Sequence, residues 1–323
     1  MGKIFSGIRP SGKLHLGNYL GAIKNWIKLQ DEHDCIYGIV DLHALTTPFE
    51  PQELKNDTQD LILDLLALGL NPQKSNLVIQ SHIPEHLELA WIFSSIIKIS
   101  ELNRIPTFKE KTKQHPDNIN LGLLSYPVLM AADILIYKAD LVPVGEDQLP
   151  HIELTNKIGE RFNKKFNYNF PRVKPLLTEG ARIMSLKDPS KKMSKTGDDG
   201  IILTDTEEAI ERKIMKAVTD TGSEIKFDPQ KKKAISNLLT IYSELSGNSI
   251  PEIEKKYKNK NYADFKKDLV KVTIDFLKPF QEKRGELENK SDYVEKIIRE
   301  GNEQAKNKAQ ETLLEVKNNT GLI

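Results

Sequence analysis

Ile4-Phe5-Ser6-Gly7-Ile8-Arg9-Pro10-Ser11-Gly12-Lys13-Leu14-His15-Leu16-Gly17-Asn18 is the stretch from which the fold of this chain is best predicted. Its first five residues form an apolar run typical of a buried strand, and a glycine-containing turn follows. The next apolar residues share one helical face: Leu16, Leu20, Ile23 and Ile27. A helix that begins at such a turn presents backbone N–H groups to an anion. The same residues also suit an ordinary glycine-rich connection, so the turn alone leaves its function open.

The alternation of strand and helix continues through the first half of the chain. Further buried strands are predicted at Cys35–Val40, Leu77–Ile79 and Leu141–Val144. Helices are predicted from Pro51 to near Gly69, from Pro84, and from near Pro127. This pattern predicts an α/β fold with a doubly wound, parallel (Rossmann-type) sheet that helices cover on both faces.

After about residue 190 the strand pattern fades and helical patterns dominate. We expect Asp205 and Glu208 to form a capping box, and further helices at roughly 229–246, 250–258, 261–285 and 291–318. The chain is therefore predicted to have a sheet domain over 1–190 and an all-helical domain over 191–290. The final helix, within 291–323, is expected to pack back toward the first domain.

Composition limits the class of protein. The chain has 323 residues, 38% of them hydrophobic and 29% charged, with a net charge of +1. No apolar run approaches the roughly 20 residues that span a bilayer, and the N-terminus lacks a signal-peptide pattern. The single cysteine, Cys35, excludes an intramolecular disulfide and a multi-cysteine metal site, and it is expected to be a buried, inert thiol. We expect a cytoplasmic protein with no membrane contact.

Two further polar stretches are candidates for nucleotide binding. Gly145-Glu146-Asp147-Gln148 follows a predicted strand, where carboxylates suit ribose hydroxyls, although a solvated loop would have the same composition. Lys192-Met193-Ser194-Lys195-Thr196 lies in a polar loop with two lysines three apart. Together with the turn at 9–18, this loop could neutralise a triphosphate from two sides. The clusters Lys231–Lys233 and Lys255–Lys258 are either solvated faces or contacts for RNA phosphate.

These motifs together resemble the bacterial tryptophanyl-tRNA synthetases, which are class I aminoacyl-tRNA synthetases. His15-Leu16-Gly17-Asn18 is similar to the HIGH element of the class, and Lys192-Met193-Ser194-Lys195-Thr196 is similar to its KMSKS element. The stretches particular to the tryptophan enzymes are similar to residues 126–135, 144–163, 181–186, 217–220 and 236–239. The resemblance runs from about residue 4 to the end. Asn18 and Thr196 replace the final residues of the two elements, and Arg9 stands where relatives often have Gln.

The resemblance implies that the tryptophan carboxylate attacks the α-phosphorus of Mg-ATP, giving tryptophanyl-adenylate and pyrophosphate. Tryptophan then passes from the adenylate to the 3′ end of tryptophan tRNA, and AMP leaves. It implies catalytic roles for Lys192, Lys195, Asn18 and Ser194, with the lysines neutralising the leaving pyrophosphate. It implies ATP contacts at Arg9, Pro10, Ser11, His15, Gly17, Asn18, Gly145, Glu146, Asp147, Ile183, Lys192, Met193, Ser194, Lys195 and Thr196. Magnesium would arrive with ATP, no metal would be held by the protein, and a homodimer is expected.

The pocket for the amino acid can also be argued from chemistry. Indole has one N–H donor and no acceptor, so its pocket needs one acceptor among apolar walls. Pro127 suits the first turn of a helix, and Met130 and Asp133 then share one face of it. Asp133 is the predicted acceptor, although a helix-surface aspartate is the alternative. The resemblance adds Phe5, Tyr126, His43, Val144 and Gln148 around the amino acid.

Three other functions remain to be weighed. A tyrosyl-tRNA synthetase would need both a donor and an acceptor for the phenol, and usually carries an extra RNA-binding domain after the second element. A non-catalytic RNA-binding paralogue could lose the two signature lysines, and this chain keeps both. A small-molecule nucleotidyltransferase would have no use for the long helical region.

Overall fold

The computed structural model describes residues 1–114, 116–177, 181–194 and 199–323. Five strands form one sheet: β1 Lys3–Ile8, β2 Asp34–Ile39, β3 Ser75–Ile79, β4 Leu141–Val144 and β5 Lys174–Leu177. Their order is β3-β2-β1-β4-β5, and every pairing is parallel. The predicted doubly wound parallel sheet is confirmed. The order reverses between β1 and β4, so a crevice opens beyond the carboxyl ends of these two strands.

The fifth strand was not predicted from the sequence. β5 carries Pro175 and is largely exposed, so it lacks the buried apolar run by which the other strands were found. Among the described residues it pairs only with β4, and an edge strand tolerates a proline because one side of its backbone needs no partner.

Helices surround the sheet in the first part of the chain. They are α1 Leu16–Asn18, α2 Lys24–Leu29, α3 Asp41–Ala44, α4 Pro51–Ala67, α5 Glu85–Ser94, α6 Ile99–Leu102, α7 Pro106–Gln114, α8 Leu121–Leu135 and α9 Leu149–Phe166. A π-helical turn, Tyr19–Ile23, joins α1 to α2, and 3₁₀ turns lie at Gln80–His82, Pro116–Asn118 and Glu146–Gln148.

The predicted start of the helix near Pro127 is wrong. α8 begins at Leu121, because the Asn120 side chain accepts a hydrogen bond from the backbone N–H of Leu123 at 2.8 Å and caps the helix. Pro127 therefore lies inside α8 instead of in its first turn.

Five helices complete the chain: α10 Glu207–Lys216, α11 Lys233–Ser246, α12 Ile250–Lys256, α13 Tyr262–Glu288 and α14 Ser291–Thr320. The capping box predicted for Asp205 and Glu208 is wrong by one residue. Thr206 caps α10 by accepting from the Ala209 N–H at 3.3 Å. Asp205 instead accepts from Lys213 and from the Ile202 backbone, which ties the start of α10 to the preceding turn.

The core lies on both faces of the sheet, as parallel strands require. Neighbouring strand residues alternate between the two faces: Ile4 and Leu77 pack with α4 and the later helices, whereas Phe5 and Val78 pack with α5, α8 and α9. Cys35 is 1% exposed on the first of these faces, so the prediction of a buried thiol is confirmed.

The last helix packs against the sheet part of the molecule. α14 runs along β3 and α5, and its Ala305, Ala309 and Leu313 join the core beneath α5. The division of the chain into domains over 1–190 and 191–290 stays a prediction. No helix among the described residues is long and apolar enough to cross a bilayer.

Candidate active site

A cavity of about 440 Å³ opens where the strand order reverses. Its walls come from β1, from the carboxyl end of β4 and from one face of α8. All seven residues predicted to surround the amino acid line it: Phe5, His43, Tyr126, Met130, Asp133, Val144 and Gln148. The structure thus brings together side chains from five separate segments, at the place where a doubly wound sheet positions a ligand.

Asp133 lies in the cavity wall and is only 1% exposed. Its Oδ2 is 2.8 Å from His43 Nε2, and its Oδ1 accepts from Gln80 Nε2 at 2.8 Å and faces His86 Nδ1 at 2.6 Å. Burial alone would raise the pKa of Asp133, but hydrogen bonds from His43 and His86 outweigh burial and hold this pKa well below its usual value. The site therefore contains a buried carboxylate anion, and the alternative of a surface aspartate is wrong.

Tyr126 and His151 form a second polar pair in the cavity wall. The Tyr126 hydroxyl is 2.8 Å from His151 Nε2. Burial raises the pKa of Tyr126 and lowers the pKa of His151, so both side chains are neutral near pH 7. His151 Nδ1 is buried and has no hydrogen-bond partner among the described residues.

The turn after β1 pairs through the backbone with residues 201–203, which follow the second signature element. Leu16 N–H donates to Ile201 O at 2.8 Å, and Leu203 N–H donates to Leu14 O at 2.9 Å. Asn18 caps the turn, since its side chain accepts from the His15 N–H at 3.1 Å while its own N–H donates to the His15 ring.

Gly17 lies between the His15 ring and Met193 of the second element. A Cβ at this position would lie 3.0 Å from His15 Nδ1 and 3.5 Å from the Cβ of Met193. An added Cβ would crowd the His15 ring while only touching Met193, which gives a packing reason for glycine here.

The described part of the lysine loop is anchored to the segment 183–185. Met193 N–H donates to Ile183 O at 3.1 Å, and Ser185 N–H donates to Lys191 O at 2.9 Å. This pairing buries Ile183 and Met193 and leaves Lys192 exposed, with its Nζ 3.9 Å from Asp147 Oδ1. Ser194 ends this stretch, and Lys195 and Thr196 lie outside the described residues.

The remaining residues predicted to contact ATP differ in their position relative to the cavity. Arg9, Asn18 and Gly145 line the cavity itself. Ser11, Glu146 and Asp147 are exposed on the two loops beside it, whereas Pro10 and His15 are buried within the turn. Burial alone would raise the pKa of Asp147, but a hydrogen bond from Gln148 and the charge of Lys192 lower it.

Comparison with known proteins identifies the family. The family model described as tRNA synthetases class I (W and Y) matches residues 2–278. The chain belongs to this family of class I tRNA synthetases. Among similar proteins, a tryptophan–tRNA ligase of Caldanaerobacter subterraneus is 47% identical, covering 100% of this chain and 99% of its own length. A tryptophan–tRNA ligase of Helicobacter pylori is 46% identical, with 99% of both chains covered.

Solved structures of family members are also similar. The tryptophanyl-tRNA synthetase of Mycoplasma pneumoniae superposes with a TM-score of 0.90 at 36% identity, covering 99% of this chain and 98% of that one. A Campylobacter jejuni tryptophanyl-tRNA synthetase, in complex with ADP and tryptophan, has a TM-score of 0.87 at 31% identity, with 99% of both chains covered.

Sequence reasoning missed one cation in the synthetase cavity. Lys111, on α7, lines the cavity together with Arg9. Burial lowers the pKa of both side chains, and the charge of Arg9 further lowers that of Lys111. Neither forms an ion pair within the described part of the chain. Lys111 was overlooked because Lys109 and Lys113 beside it give α7 the composition of a solvated helix.

Sequence reasoning also missed two hydrogen-bond partners of Asp133, an amide and an imidazole. Gln80 and His86 are buried and contact the carboxylate, but they lie in a short 3₁₀ turn and in α5, far from Asp133 in the sequence. No local pattern marks such residues. Within the described ranges, no group of three or more His, Cys, Asp or Glu side chains could hold a metal ion.

Proposed function

We propose that this synthetase is a tryptophan–tRNA ligase. It activates L-tryptophan with Mg-ATP, forming tryptophanyl-adenylate and pyrophosphate, and then transfers tryptophan to the 3′ end of tryptophan tRNA. The observation that carries the proposal is the buried Asp133 carboxylate in a cavity lined by Phe5, Met130 and Val144. An indole ring donates one hydrogen bond and is otherwise apolar, so it matches a slot with a single anionic acceptor.

Tyrosine is the main competing substrate, because the matched family covers tryptophan and tyrosine enzymes. A phenol hydroxyl both donates and accepts, so it would need a donor beside Asp133. The His43 Nε2 that contacts Asp133 is already engaged with the carboxylate. This arrangement favours a ligand that only donates.

The cations around the cavity have a proposed role in phosphate transfer. The attacking tryptophan carboxylate is already ionised, so the reaction needs positioning and charge neutralisation more than a general base. Lys192 and Lys195 neutralise the leaving pyrophosphate, and Arg9 and Lys111 stabilise negative charge deeper in the cavity. Asn18 and Ser194 contribute polar contacts to the nucleotide, as do the other residues of the two signature elements.

The helical region after residue 190 is proposed to bind the tRNA. Of the two lysine clusters, Lys232 is engaged with Glu224 and Lys256 with Asp268, whereas Lys231 and Lys255 are exposed. The exposed lysines suit RNA phosphate, so tRNA affinity should weaken as salt rises.

A homodimer is proposed to form through α5. Trp91 is 80% exposed and Leu87 lies one turn before it on the same face, with exposed Ile99 following. Large apolar groups gathered on one surface commonly mark an interface. We further propose a cytoplasmic location, where the lone thiol of Cys35 stays reduced.

Pyrophosphate exchange tests the proposed substrate. The purified protein with Mg-ATP is expected to exchange labelled pyrophosphate with tryptophan, and far less with tyrosine or phenylalanine. Equal exchange rates with tryptophan and tyrosine would reject the assignment. The same assay run across all twenty amino acids shows whether any other substrate is preferred.

A further inference from the structure

A chain of buried hydrogen bonds lies behind Asp133, outside the cavity. His86 Nδ1 is 2.6 Å from Asp133 Oδ1, and His86 Nε2 is 2.6 Å from the Tyr137 hydroxyl. His86 is 0% exposed and Tyr137 is 6% exposed. Neither residue lines the cavity, so neither can touch a ligand there.

The proton positions along this chain follow from the donors and acceptors. Burial, together with the charges of Asp133 and Glu85, raises the pKa of Tyr137 well above its usual value, so the phenol keeps its proton. The Tyr137 O–H has His86 Nε2 as its acceptor, and with Tyr137 as the donor the ring proton of His86 lies on Nδ1. That proton is donated to Asp133 Oδ1. Tyr137, His86 and Asp133 therefore form one directed series of hydrogen bonds.

The two oxygens of Asp133 are occupied unequally. A carboxylate oxygen has about two acceptor sites. Oδ1 has two partners, Gln80 Nε2 and His86 Nδ1, whereas Oδ2 has only His43 Nε2 among the described residues. The acceptor site left open is therefore on Oδ2.

We propose that His86, held by Tyr137, is a positioning residue that saturates Oδ1 of Asp133 and so leaves Oδ2 as the acceptor for a ring N–H of the substrate. The proposal rests on the function proposed above, since it takes an indole as the ligand. His86 then determines the preference for a ring with an N–H over a ring of the same shape without one. Its loss would let the carboxylate rotate and would leave part of Oδ1 unpaired.

The acid–base behaviour of the site supplies a second consequence. The groups that face Asp133 are His43 from α3 and His86 from α5, with Tyr137 and Glu85 behind His86. Burial favours the neutral carboxyl, and the two histidine hydrogen bonds oppose burial. Removing the His86 contact should therefore raise the pKa of Asp133. Tryptophan affinity would then fall at mildly acidic pH, where the wild-type protein still binds.

The matched variants His86→Asn and His86→Leu separate hydrogen bonding from shape. Asn and Leu are nearly the same size, but only Asn keeps a donor near the position of Nδ1. The dissociation constants of tryptophan and of β-(3-benzothienyl)alanine, which has sulfur in place of the ring N–H, are measured by calorimetry from pH 5 to 8. His86→Leu is expected to reduce the preference for tryptophan about tenfold. The loss of tryptophan affinity on acidification should also begin at a higher pH in this variant. His86→Asn should keep most of both properties.

Several results would overturn the inference. One is an equal loss of affinity for both ligands in His86→Leu, and another is a preference in His86→Asn as low as in His86→Leu. If His86→Leu does not fold, Tyr137→Phe replaces it, because Phe keeps the ring that stacks on Phe5 at 5.5 Å and loses only the hydroxyl. The preference of Tyr137→Phe for tryptophan over the benzothienyl analogue should fall about threefold. An unchanged preference in this variant also overturns the inference.

The outcome is distinguishable from failure of the proposed function. If the wild-type protein does not activate tryptophan in pyrophosphate exchange, the proposed function fails whatever the variants do. If the wild type activates tryptophan but the ligand preference does not depend on the donor at position 86, only the role of His86 fails.

Discussion

At the scale of single residues, Asp133 combines a negative charge with almost complete burial. A charge in such a place needs hydrogen bonds in the folded protein, and three partners supply them. Asp133→Ala removes the proposed acceptor for indole. Since a hydrogen bond to a charged group contributes about 1.5–3 kcal/mol, kcat/KM for tryptophan should fall about 10- to 150-fold.

Phenylalanine is the control substrate for this variant. Its ring has no N–H, so its poor activation should fall much less, and the preference for tryptophan should shrink. Asp133→Asn is expected to be intermediate, because the amide oxygen still accepts without a charge. If Asp133→Ala slows both amino acids equally in steady-state exchange, Asp133 supports the fold and does not bind indole.

The cations Lys111 and Lys192 belong to the same scale. Each is expected to stabilise charge that develops on the phosphates, and removing one preorganised donor typically costs about 10²–10³ in rate. Lys111→Ala and Lys192→Ala should therefore slow adenylate formation in single-turnover kinetics while tryptophan affinity barely changes.

Two neighbouring lysines serve as matched controls. Lys109 is on the same helix as Lys111 but is exposed and does not line the cavity. Lys191 precedes Lys192 and lies 3.3 Å from Asp188. Lys109→Ala and Lys191→Ala should leave the rate nearly unchanged. If the control variants lose as much rate as Lys111→Ala and Lys192→Ala, the slower reaction reflects the loss of net positive charge and not a specific contact with phosphate.

At the scale of secondary-structure elements, the contact of α14 with β3 depends on Gly301. A Cβ there would lie 2.4 Å from the Leu77 carbonyl oxygen and 3.3 Å from its carbon. The obstacle is backbone in the middle of strand β3, which is held by its pairing with β2, so it cannot move aside cheaply. Gly301→Ala is expected to destabilise the fold by about 1–3 kcal/mol in urea unfolding, as overpacking does.

Gly285, on α13, is the control for helix propensity. No atom lies within 4 Å of a Cβ added there. Gly285→Ala should therefore stabilise the protein by roughly 0.4–1 kcal/mol, since alanine is the better helix former. If both substitutions stabilise the protein, α14 at Gly301 has room for a methyl group beside the Leu77 carbonyl, and the expectation for Gly301→Ala is wrong.

At the scale of the whole molecule, Arg284 joins the helical region to the sheet region. Its guanidinium on α13 contacts Asp64 at 2.7 Å and Asp60 at 2.5 Å, both on α4. Asp57, on the same helix, accepts from the Gly12 N–H in the turn after β1. The contacts thus link a C-terminal helix to the turn beside the cavity through one acidic face of α4.

Burial raises the pKa of Asp64 to about 6, even though Arg284 lowers it. In the unfolded chain the pKa of Asp64 returns to its ordinary value of 3.8. Between pH 3.8 and about 6, the Asp64 carboxyl is therefore more protonated in the folded protein than in the unfolded chain. The contribution of Asp64 to stability is therefore greatest below pH 4 and falls as pH rises through about 6. The free energy of unfolding of the wild type, minus that of Asp64→Asn, should fall by up to about 3 kcal/mol between pH 4 and 7.

Urea unfolding at a series of pH values measures this difference. Parallel pH profiles for the wild type and Asp64→Asn would contradict the expectation. Pyrophosphate exchange by the same variant then shows whether the link from α13 to the turn affects the cavity.

Much of the fold follows from local sequence. The runs Ile4–Ile8, Cys35–Val40 and Leu77–Ile79 are largely apolar, because helices cover both faces of a parallel sheet and its strands are buried on both. Phe5, Tyr126, Met130 and Asp133, which the family motifs mark in the sequence, all line one cavity. Their contact with the amino acid stays a prediction.

Only the tertiary structure decided the remaining features. β5 could not be predicted because an exposed edge strand needs no apolar run. Lys111 is set apart from Lys109 only by the way α7 packs, which turns one lysine of a solvated helix toward the cavity. His86 and Gln80 meet Asp133 from segments that lie 47 and 53 residues away along the chain. Local patterns specify strands, helices and turns, whereas the partners of a buried charge depend on how those elements pack against one another.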